Sequence, residues 1–270
     1  MNEPGDDSSD ESSLFGSEAE SCEDGIPPVA DRGQHTLQAL PSSIPGLYFF
    51  PNLMQEDLQD EIVDAIIAQN YFGASQNQAM LFASADMLSS GKESRLPAWS
   101  DRLIARLAEL LEGRIPDSAR ELLFPVNGGR NPRQMIINRY APGEGIASHR
   151  DLLDRFGDGI IICSFLSGIA MELNNPRLEQ LGDAHARVSL WLPPGSVLIL
   201  SKEARYDWRH GIAARPSDSV VFGSTGGEQV RDIPRQPRLS VTIRWMLPGG
   251  NIVGEEQAVK ALRRERDQDC

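Results

Sequence analysis

A short polar stretch, NRYAPGEGIASHRD, places a histidine and an aspartate two positions apart, at His149 and Asp151. On an extended chain, side chains two residues apart leave from the same face, so these two can contact one ion. Two ligands do not make a metal site. A third donor is available at His210, further along the chain in the sequence RYDWRHGI.

This donor set narrows the choice of metal. Two histidines and one carboxylate form the facial triad of non-haem Fe(II) sites, which keeps coordination positions open for a co-substrate and oxygen. The chain has only two other histidines. His35 lies in a polar leader and His185 in a polar stretch before a strand, so neither is a candidate ligand. A His-x-Asp pair alone is more often incidental, and the distant histidine is what makes the metal hypothesis worth pursuing.

The second informative stretch is RLSVTIRW, residues 238–245, whose polar and apolar residues alternate strictly. On a strand, Arg238, Ser240 and Arg244 share one face and the apolar residues share the other. If the apolar face packs against helices, both arginines point into the interior. A buried arginine needs an anionic partner and grips carboxylates through paired hydrogen bonds, so a small dicarboxylate is a candidate ligand. The alternative is an exposed edge strand with solvated arginines.

Asn138 and Tyr140 have the same spacing on the strand before the His-x-Asp pair. They share one strand face, while Ile137 points the opposite way. An amide and a phenol beside a metal can hydrogen-bond to a bound carboxylate. The alternative is that this pair is incidental.

Two amphipathic helices are predicted among the elements that position these residues. The first is capped by Asn52 and has an apolar stripe that runs to Ile67, and the second covers about 100–112. Both stripes are typical of ordinary core faces. The polar and aromatic segment 72–99 between the helices is predicted to be either irregular surface or a lid over a site.

From Gln134 onward, short apolar segments are separated by turns rich in Pro, Gly and Asn. About eight short strands without long helices between them favour a closed or double-sheet antiparallel structure, such as a jelly roll. The predicted fold class is therefore mainly β with flanking helices. A first strand is expected near 44–50, and the others at about 134–140, 160–166, 169–174, 187–192, 196–201, 207–212, 218–222 and 238–246.

The length of 270 residues suffices for one sizeable domain with appendages. No apolar run is long enough to span a membrane, and the acidic N-terminus lacks the apolar segment of a secretory signal. The three cysteines, Cys22, Cys163 and Cys270, have neither metal-ligand nor paired spacing. They predict a reduced intracellular compartment, either cytoplasm or nucleus.

The formal net charge of −13 is unevenly distributed. Residues 1–25 hold nine acidic side chains and no Lys or Arg, so removing them leaves −4 for the remainder. This composition predicts a disordered acidic tail over 1–38. A domain over 44–248 and a C-terminal tail or short helix over 249–270 complete the organisation. No basic stripe is visible, which counts against tight duplex binding.

Three pieces carry a family resemblance: NRYAPGEGIASHRD (138–151), PPGSVLILSKEARYDWRHGI (193–212) and RLSVTIR (238–244). In this order they resemble the AlkB family of Fe(II)- and 2-oxoglutarate-dependent dioxygenases, whose fold is a double-stranded β-helix, or jelly roll. Within these motifs, the sequence is most similar to that of the eukaryotic branch that acts on tRNA wobble uridines. The resemblance covers about 44–248.

The resemblance implies roles for the candidate residues. His149, Asp151 and His210 are implied to hold Fe(II). Arg238 is implied to pair with the distal carboxylate of 2-oxoglutarate, and Arg244 to support its keto-acid end. Further hydrogen bonds to the co-substrate are implied for Asn138, Tyr140 and Ser240.

The implied activity consumes 2-oxoglutarate and O2 and hydroxylates a C–H bond. On an N-methyl group, the hydroxylated product collapses and releases formaldehyde. The favoured substrate is a modified base in DNA or RNA, tRNA included, flipped or single-stranded beneath a lid drawn from 72–99. The chain has neither the glycine-rich methyltransferase loop nor the RNA-recognition motif of the wobble-uridine branch, so a partner protein is one expected source of RNA binding.

The sequence leaves two other hypotheses about function to consider. The same barrel with another lid would hydroxylate or demethylate a protein side chain. A catalytically inactive binding module is disfavoured, because the three ligands and both arginines are present. A basic rim around the mouth of the site favours nucleic acid, whereas a neutral or acidic groove favours protein.

Overall fold

The structure, a computed structural model, describes residues 44–73, 76–83, 96–125, 133–222 and 229–247. The predicted acidic tail (1–38) and C-terminal tail (249–270) lie outside these residues. So does much of the predicted lid, at 74–75 and 84–95.

The described residues form short strands and helices. The strands are β1 Leu47–Phe50, β2 Gln78–Phe82, β3 Arg133–Tyr140, β4 Ile146–His149, β5 Phe156–Phe165, β6 Ile169–Asn174, β7 Arg187–Leu192, β8 Val197–Leu200, β9 Arg209–Ile212, β10 Ser217–Phe222, β11 Gln229–Pro234 and β12 Arg238–Met246. The helices are α1 Glu56–Ala68, α2 Ala98–Leu110, α3 Asp117–Leu123, α4 Pro176–Gln180 and α5 Lys202–Tyr206.

Two antiparallel sheets build the barrel. The major sheet has the order β1-β8-β5-β12-β3-β2, and the minor sheet has the order β4-β9-β6-β7. Strands β10 and β11 form a separate hairpin. Apolar side chains of both sheets meet in one cluster, for example Ile162 and Leu198 of the major sheet with Leu173 and Leu190 of the minor sheet. This double-stranded β-helix confirms the predicted fold class.

Helices cover the other face of the major sheet. The apolar stripes of α1, α2 and α3 pack against sheet residues in a second cluster, where Ile62 and Leu103 are fully buried. Strand β12 lies between the two clusters, and its apolar and polar side chains point to opposite sides of the sheet. Leu239, Val241 and Ile243 pack on the helix side, so the polar face with Arg238 and Arg244 turns into the barrel.

Several local predictions are wrong. The first helix begins after Gln55 without a side-chain cap, so Asn52 does not cap it. Ile67, assigned to the apolar stripe, is exposed. Within the segment predicted to be loop or lid, 78–82 is strand β2, which pairs with β3 because its backbone completes the edge of the major sheet.

The prediction also missed elements that only the tertiary fold stabilises. Strands β4 and β11 are short and largely exposed, so they lack the apolar signal of a strand. Helix α5 was not predicted, and the strand predicted at 207–212 begins only at Arg209, because residues 207 and 208 form the turn after this helix. None of the described helices is long and apolar enough to cross a membrane.

Candidate functional site

The two histidines meet because β4 and β9 pair. His149 and His210 are direct cross-strand partners, with ring centroids 4.5 Å apart. A glycine allows this approach, since a Cβ at Gly211 would lie only 2.8 Å from the Cα of Ser148. Asp151 follows two residues after His149, and the three candidate donor atoms all lie within 4.8 Å of one another. The predicted triad therefore assembles in one place.

Both imidazoles are suited to bind a cation. Nδ1 of His149 lies 2.8 Å from the carbonyl oxygen of Ala147, which leaves Nε2 as the ligand nitrogen when Nδ1 donates this bond. Burial lowers the pKa of His210 to about 4, against the opposing charge of Asp151. A neutral imidazole at ordinary pH has its lone pair free for a metal.

The Asp151 carboxylate is held by one oxygen and free at the other. Arg244 donates a hydrogen bond from Nη1 to Oδ1, whereas Oδ2 is buried and has no hydrogen-bond partner within the described residues. Burial opposes ionisation of this carboxyl, but Arg244 and the two histidines outweigh it, so the pKa of Asp151 lies below its ordinary value. The carboxylate is thus ionised, and its Oδ2 has no hydrogen bond in the described residues that would compete with a metal ion.

Arg244 is fixed by more than Asp151. Its Nε donates to Oε1 of Gln134 at 2.6 Å, and its guanidinium lies 3.6 Å from the ring centroid of Phe156. In this structure Arg244 therefore orients the metal ligand. The predicted contact with the keto-acid end of a co-substrate stays a prediction.

Arg205 holds the loop that follows the metal ligand, and the sequence reasoning did not single it out. It is 2% exposed and donates to four backbone carbonyls, which belong to Asp151, Leu152, Phe156 and Gly157, at 2.9–3.3 Å. These bonds bind α5 to both ends of the 151–157 segment. The only sequence signal was its place in the 193–212 motif, because an arginine within a polar run gives no indication of burial.

Arg238 forms a second, separate polar centre inside the barrel. It is 1% exposed, and its Nη2 donates to Oγ of Ser164 at 2.8 Å. Its Nε and Nη1 have no hydrogen-bond partner in the part of the chain that the structure describes. A buried guanidinium without an anionic partner is costly, so this pocket is complementary to an anion.

The strand register brings the remaining predicted residues to the same pocket. On β3 and β12, Arg238 is opposite Tyr140 and Ser240 is opposite Asn138. Burial raises the pKa of Tyr140, although Arg238 opposes this shift, so the phenol is neutral and can donate a hydrogen bond. The Asn138 amide oxygen accepts from Gln78 Nε2 at 2.7 Å, which links the pocket to β2.

An open hollow of about 360 Å³ adjoins the triad. Besides His149 and Asp151 it is lined by two arginines and two exposed leucines, with Leu152 52% and Leu153 45% exposed. The arginines are Arg150 and Arg209, the immediate neighbours of the two histidine ligands. The rim of this opening is therefore basic and partly apolar.

Comparison with known protein families agrees with this geometry. The model of the family described as "2OG-Fe(II) oxygenase superfamily" matches residues 46–244. The chain belongs to this superfamily. It is therefore an oxygenase that uses Fe(II) and 2-oxoglutarate, with His149, Asp151 and His210 as the iron-binding triad.

Several relatives are AlkB homologues, which confirms the family resemblance. The tRNA (carboxymethyluridine(34)-5-O)-methyltransferase ALKBH8 of Macaca fascicularis is 42% identical over 89 residues, which are 33% of this chain and 12% of that protein. The alkylated DNA repair protein ALKBH8 homolog of Arabidopsis thaliana is 28% identical over 193 residues, 66% of this chain and 54% of the relative. The uncharacterized protein L905 of Acanthamoeba polyphaga mimivirus is 36% identical over 117 residues, 43% of this chain and 49% of the viral protein. The matched part of the chain thus spans about half or less of the length of each of these three relatives.

The two polar centres fit the two groups that this superfamily uses. The free Oδ2 of Asp151 and the two imidazoles complete a facial ligand set for Fe(II). The two nitrogens of Arg238 without a partner in the described residues, Nε and Nη1, can donate to an anion such as a carboxylate of 2-oxoglutarate.

Proposed function

We propose that this oxygenase hydroxylates or demethylates a modified base in nucleic acid, with tRNA as a candidate substrate. The observation that carries the proposal is the charge at the mouth. Apart from the metal ligands, the ionisable side chains lining the hollow are both basic, Arg150 and Arg209. A basic rim attracts phosphates and has no complementary role toward an unmodified apolar or basic protein side chain.

The printed names of relatives support the same substrate class. The aligned part of this chain is shared with proteins named for tRNA modification, for alkylated DNA repair and for demethylation of RNA or DNA. The methyltransferase activity in the macaque protein's name is not part of this proposal, because the matching stretch is only 12% of that protein.

Each residue of the two polar centres has a proposed task in the reaction. Fe(II) and 2-oxoglutarate, when bound, supply the oxidation: 2-oxoglutarate becomes succinate and CO2, one atom of O2 enters succinate, and the other enters the substrate C–H bond. His149, Asp151 and His210 would hold the iron, and Arg244 binds Oδ1 of Asp151 and leaves Oδ2 available for it. Arg238 binds the distal carboxylate of 2-oxoglutarate, and the neutral Tyr140 donates a hydrogen bond to it.

Two exposed leucines would contact the substrate base, and two polar side chains would bind the co-substrate. Leu152 and Leu153 present apolar surface directly beside the metal ligands, where the face of an extruded base can rest. Asn138 and Ser240 share the pocket face with Arg238 and supply further polar contacts to 2-oxoglutarate.

The experiment is substrate-dependent succinate formation by the Fe(II)-loaded protein. Methylated single-stranded DNA, methylated RNA, bulk tRNA and a methylated-peptide pool are compared, with His149→Ala as the blank. Stimulation by a nucleic-acid class, absent from the blank, is the expected result. Stimulation by the peptide pool alone would overturn the nucleic-acid assignment and leave the oxygenase in place.

A further inference from the structure

A second hollow, of about 500 Å³, adjoins the one at the metal site. The two share Arg150 and Arg209 as lining residues, so they form one continuous path. The path starts at β4, the edge strand of the minor sheet, and reaches α4. We call it the β4–α4 groove. Besides the shared Arg150 and Arg209, the groove is lined by Arg177, Leu181, Glu203 and Asp207, among others.

We propose that the β4–α4 groove binds the phosphate backbone of the single strand that flanks the target nucleotide. This proposal rests on the proposed function, because it assigns a path to the nucleic acid that the active site would oxidise. Three arginines line the groove: Arg150, Arg177 and Arg209.

The strand geometry aims two of these arginines at one surface. His149 and His210 pair across the antiparallel strands β4 and β9, so Arg150, which follows one histidine, lies across from Arg209, which precedes the other, and both line the same hollow. Two like charges that line the same hollow repel each other. A phosphate between them would remove that repulsion, because each guanidinium can donate paired hydrogen bonds to its oxygens.

The arginines are also available to a ligand. All three are exposed, and within the described residues the side chains of Arg177 and Arg209 make neither a hydrogen bond nor an ion pair. Arg150 donates from Nη1 to the Tyr206 carbonyl at 2.9 Å, which fixes its direction, and its other nitrogens have no hydrogen-bond partner among the described residues. Elsewhere on the surface, Arg102, Arg106 and Arg187 are each paired with a glutamate.

The groove favours a single strand over a duplex. Besides the arginines, it contains two carboxylates, Glu203 and Asp207, and an apolar side, where Leu181 is 74% exposed. A net excess of one positive charge is modest for duplex binding, which depends on many phosphate contacts. Apolar surface next to the arginines suits unstacked bases, which only a single strand presents.

Arg177 is the test residue, because it lies on α4 and is not among the residues that line the hollow at the triad. The matched control is Arg114, which is exposed on the turn after α2 and whose side chain contacts no described residue through a hydrogen bond or ion pair. Both are changed to Ala and, in a second set, to Glu. Thermal unfolding establishes that the four variants fold as the wild type does.

The measurement is the anisotropy of a fluorescein-labelled, mixed-sequence single-stranded RNA titrated with the full chain at increasing salt. For Arg177→Ala we expect weaker binding and a plot of log affinity against log salt that is shallower by about 0.7, the value for one lost phosphate contact on a single strand. Arg177→Glu weakens binding further, by about tenfold relative to the wild type, because it also repels the phosphate. Both Arg114 variants bind as the wild type does.

Two distinguishable results would contradict the proposal that the groove binds the strand. If the wild type binds the RNA and both Arg177 variants match it in affinity and salt dependence, the strand takes another path and the proposed function stands. If the wild type binds no RNA and no nucleic acid stimulates succinate formation, the proposed function fails along with the groove. Unlabelled duplex RNA serves as competitor, and competition equal to that of the single strand would contradict the single-strand assignment.

Discussion

Arg244 donates a hydrogen bond to Oδ1 of Asp151, and the other carboxylate oxygen, Oδ2, is buried without a partner in the described part of the chain. The arginine at the end of the last strand thus orients the only carboxylate of the iron-binding triad. Arg238, on the same strand face, has no hydrogen bond to this carboxylate, and its Nε and Nη1 have no partner among the described residues. One strand face therefore carries both arginines: Arg244 is bound to the carboxylate of the triad, and Arg238 has donors available for a separate anion.

Replacing Arg244 by Met should weaken metal binding. Loss of a group that orients a metal ligand typically costs about 10- to 100-fold in metal affinity. Titration with Mn(II) as the probe metal, followed by its electron paramagnetic resonance signal, measures this without turnover. Arg238→Met is the control, since it leaves Asp151 untouched and should bind Mn(II) like the wild type. Equal affinity in the Arg244 variant would contradict the orienting role.

Arg238→Met should weaken the binding of 2-oxoglutarate and leave metal binding unchanged. The pocket loses its charge, so the 2-oxoglutarate requirement should rise by about 100-fold or more, in line with the roughly 2–5 kcal/mol cost of truncating a buried charge pair. Without 2-oxoglutarate, the variant should be at least as stable as the wild type, because the wild-type guanidinium is buried and incompletely paired.

Thermal unfolding with and without 2-oxoglutarate measures both effects of this variant. Saturating ligand at about 100 times its dissociation constant should stabilise the wild type by about 2.7 kcal/mol and the variant far less. A wild-type affinity for 2-oxoglutarate in Arg238→Met would show that the co-substrate binds elsewhere.

Arg205→Met should loosen the loop that follows the iron ligand. Its four hydrogen bonds to backbone carbonyls would be lost, and we expect a decrease of about 3 kcal/mol in the free energy of unfolding, since bonds to charged groups contribute about 1.5–3 kcal/mol each and losses are not additive. Urea unfolding measures the stability, and hydrogen exchange at 151–157 locates the change. Arg114→Met is the matched exposed control. Unchanged exchange in that segment would refute the proposed clamp.

The β10–β11 hairpin should be sensitive to Asp218. This fully buried carboxylate accepts two hydrogen bonds from Arg235, both at 2.8 Å, and one from Arg215 at 2.7 Å. Asp218→Asn should cost about 3–5 kcal/mol, the range for breaking a buried ion pair, without changing the Mn(II) affinity. Urea unfolding together with the Mn(II) titration separates this structural effect from an effect on the active site.

The stability lost in Asp218→Asn should depend on pH, and the pKa of Asp218 gives the direction. Burial would raise the pKa of Asp218, but its hydrogen bonds with Arg235 and Arg215 outweigh burial, and the pKa lies below the ordinary 3.8. The ionised carboxylate therefore stabilises the folded protein fully above the unfolded-state pKa, and this contribution is lost as the pH falls through the lower folded-state pKa. The difference between wild type and Asp218→Asn should be constant from about pH 5 upward and shrink below about pH 4. A difference that grows on acidification would contradict the assignment.

The sequence predicted features that depend on local spacing. The alternation of β12 placed Arg238, Ser240 and Arg244 on the interior face, and the His-x-Asp spacing brought two ligands together. The pairing of β4 with β9, which brings His210 to them, depends on close backbone contacts that no periodicity encodes. The burial of Arg205 and the bond from Arg244 to Gln134 join residues far apart in the chain, so they were not predicted. The cytoplasmic or nuclear location stays a prediction.

The measurement that tests the central claim most directly is the product balance on nucleic acid. The Fe(II)-loaded protein is incubated with 2-oxoglutarate, O2 and the nucleic acid that best stimulates succinate formation, and the digested nucleosides are examined by mass spectrometry. We expect one nucleoside that gains an oxygen atom or loses a methyl group as formaldehyde, in amounts equal to the succinate formed above background, and no change with His149→Ala. Succinate that forms without any altered nucleoside, alongside stoichiometric oxidation of a peptide, would contradict the account.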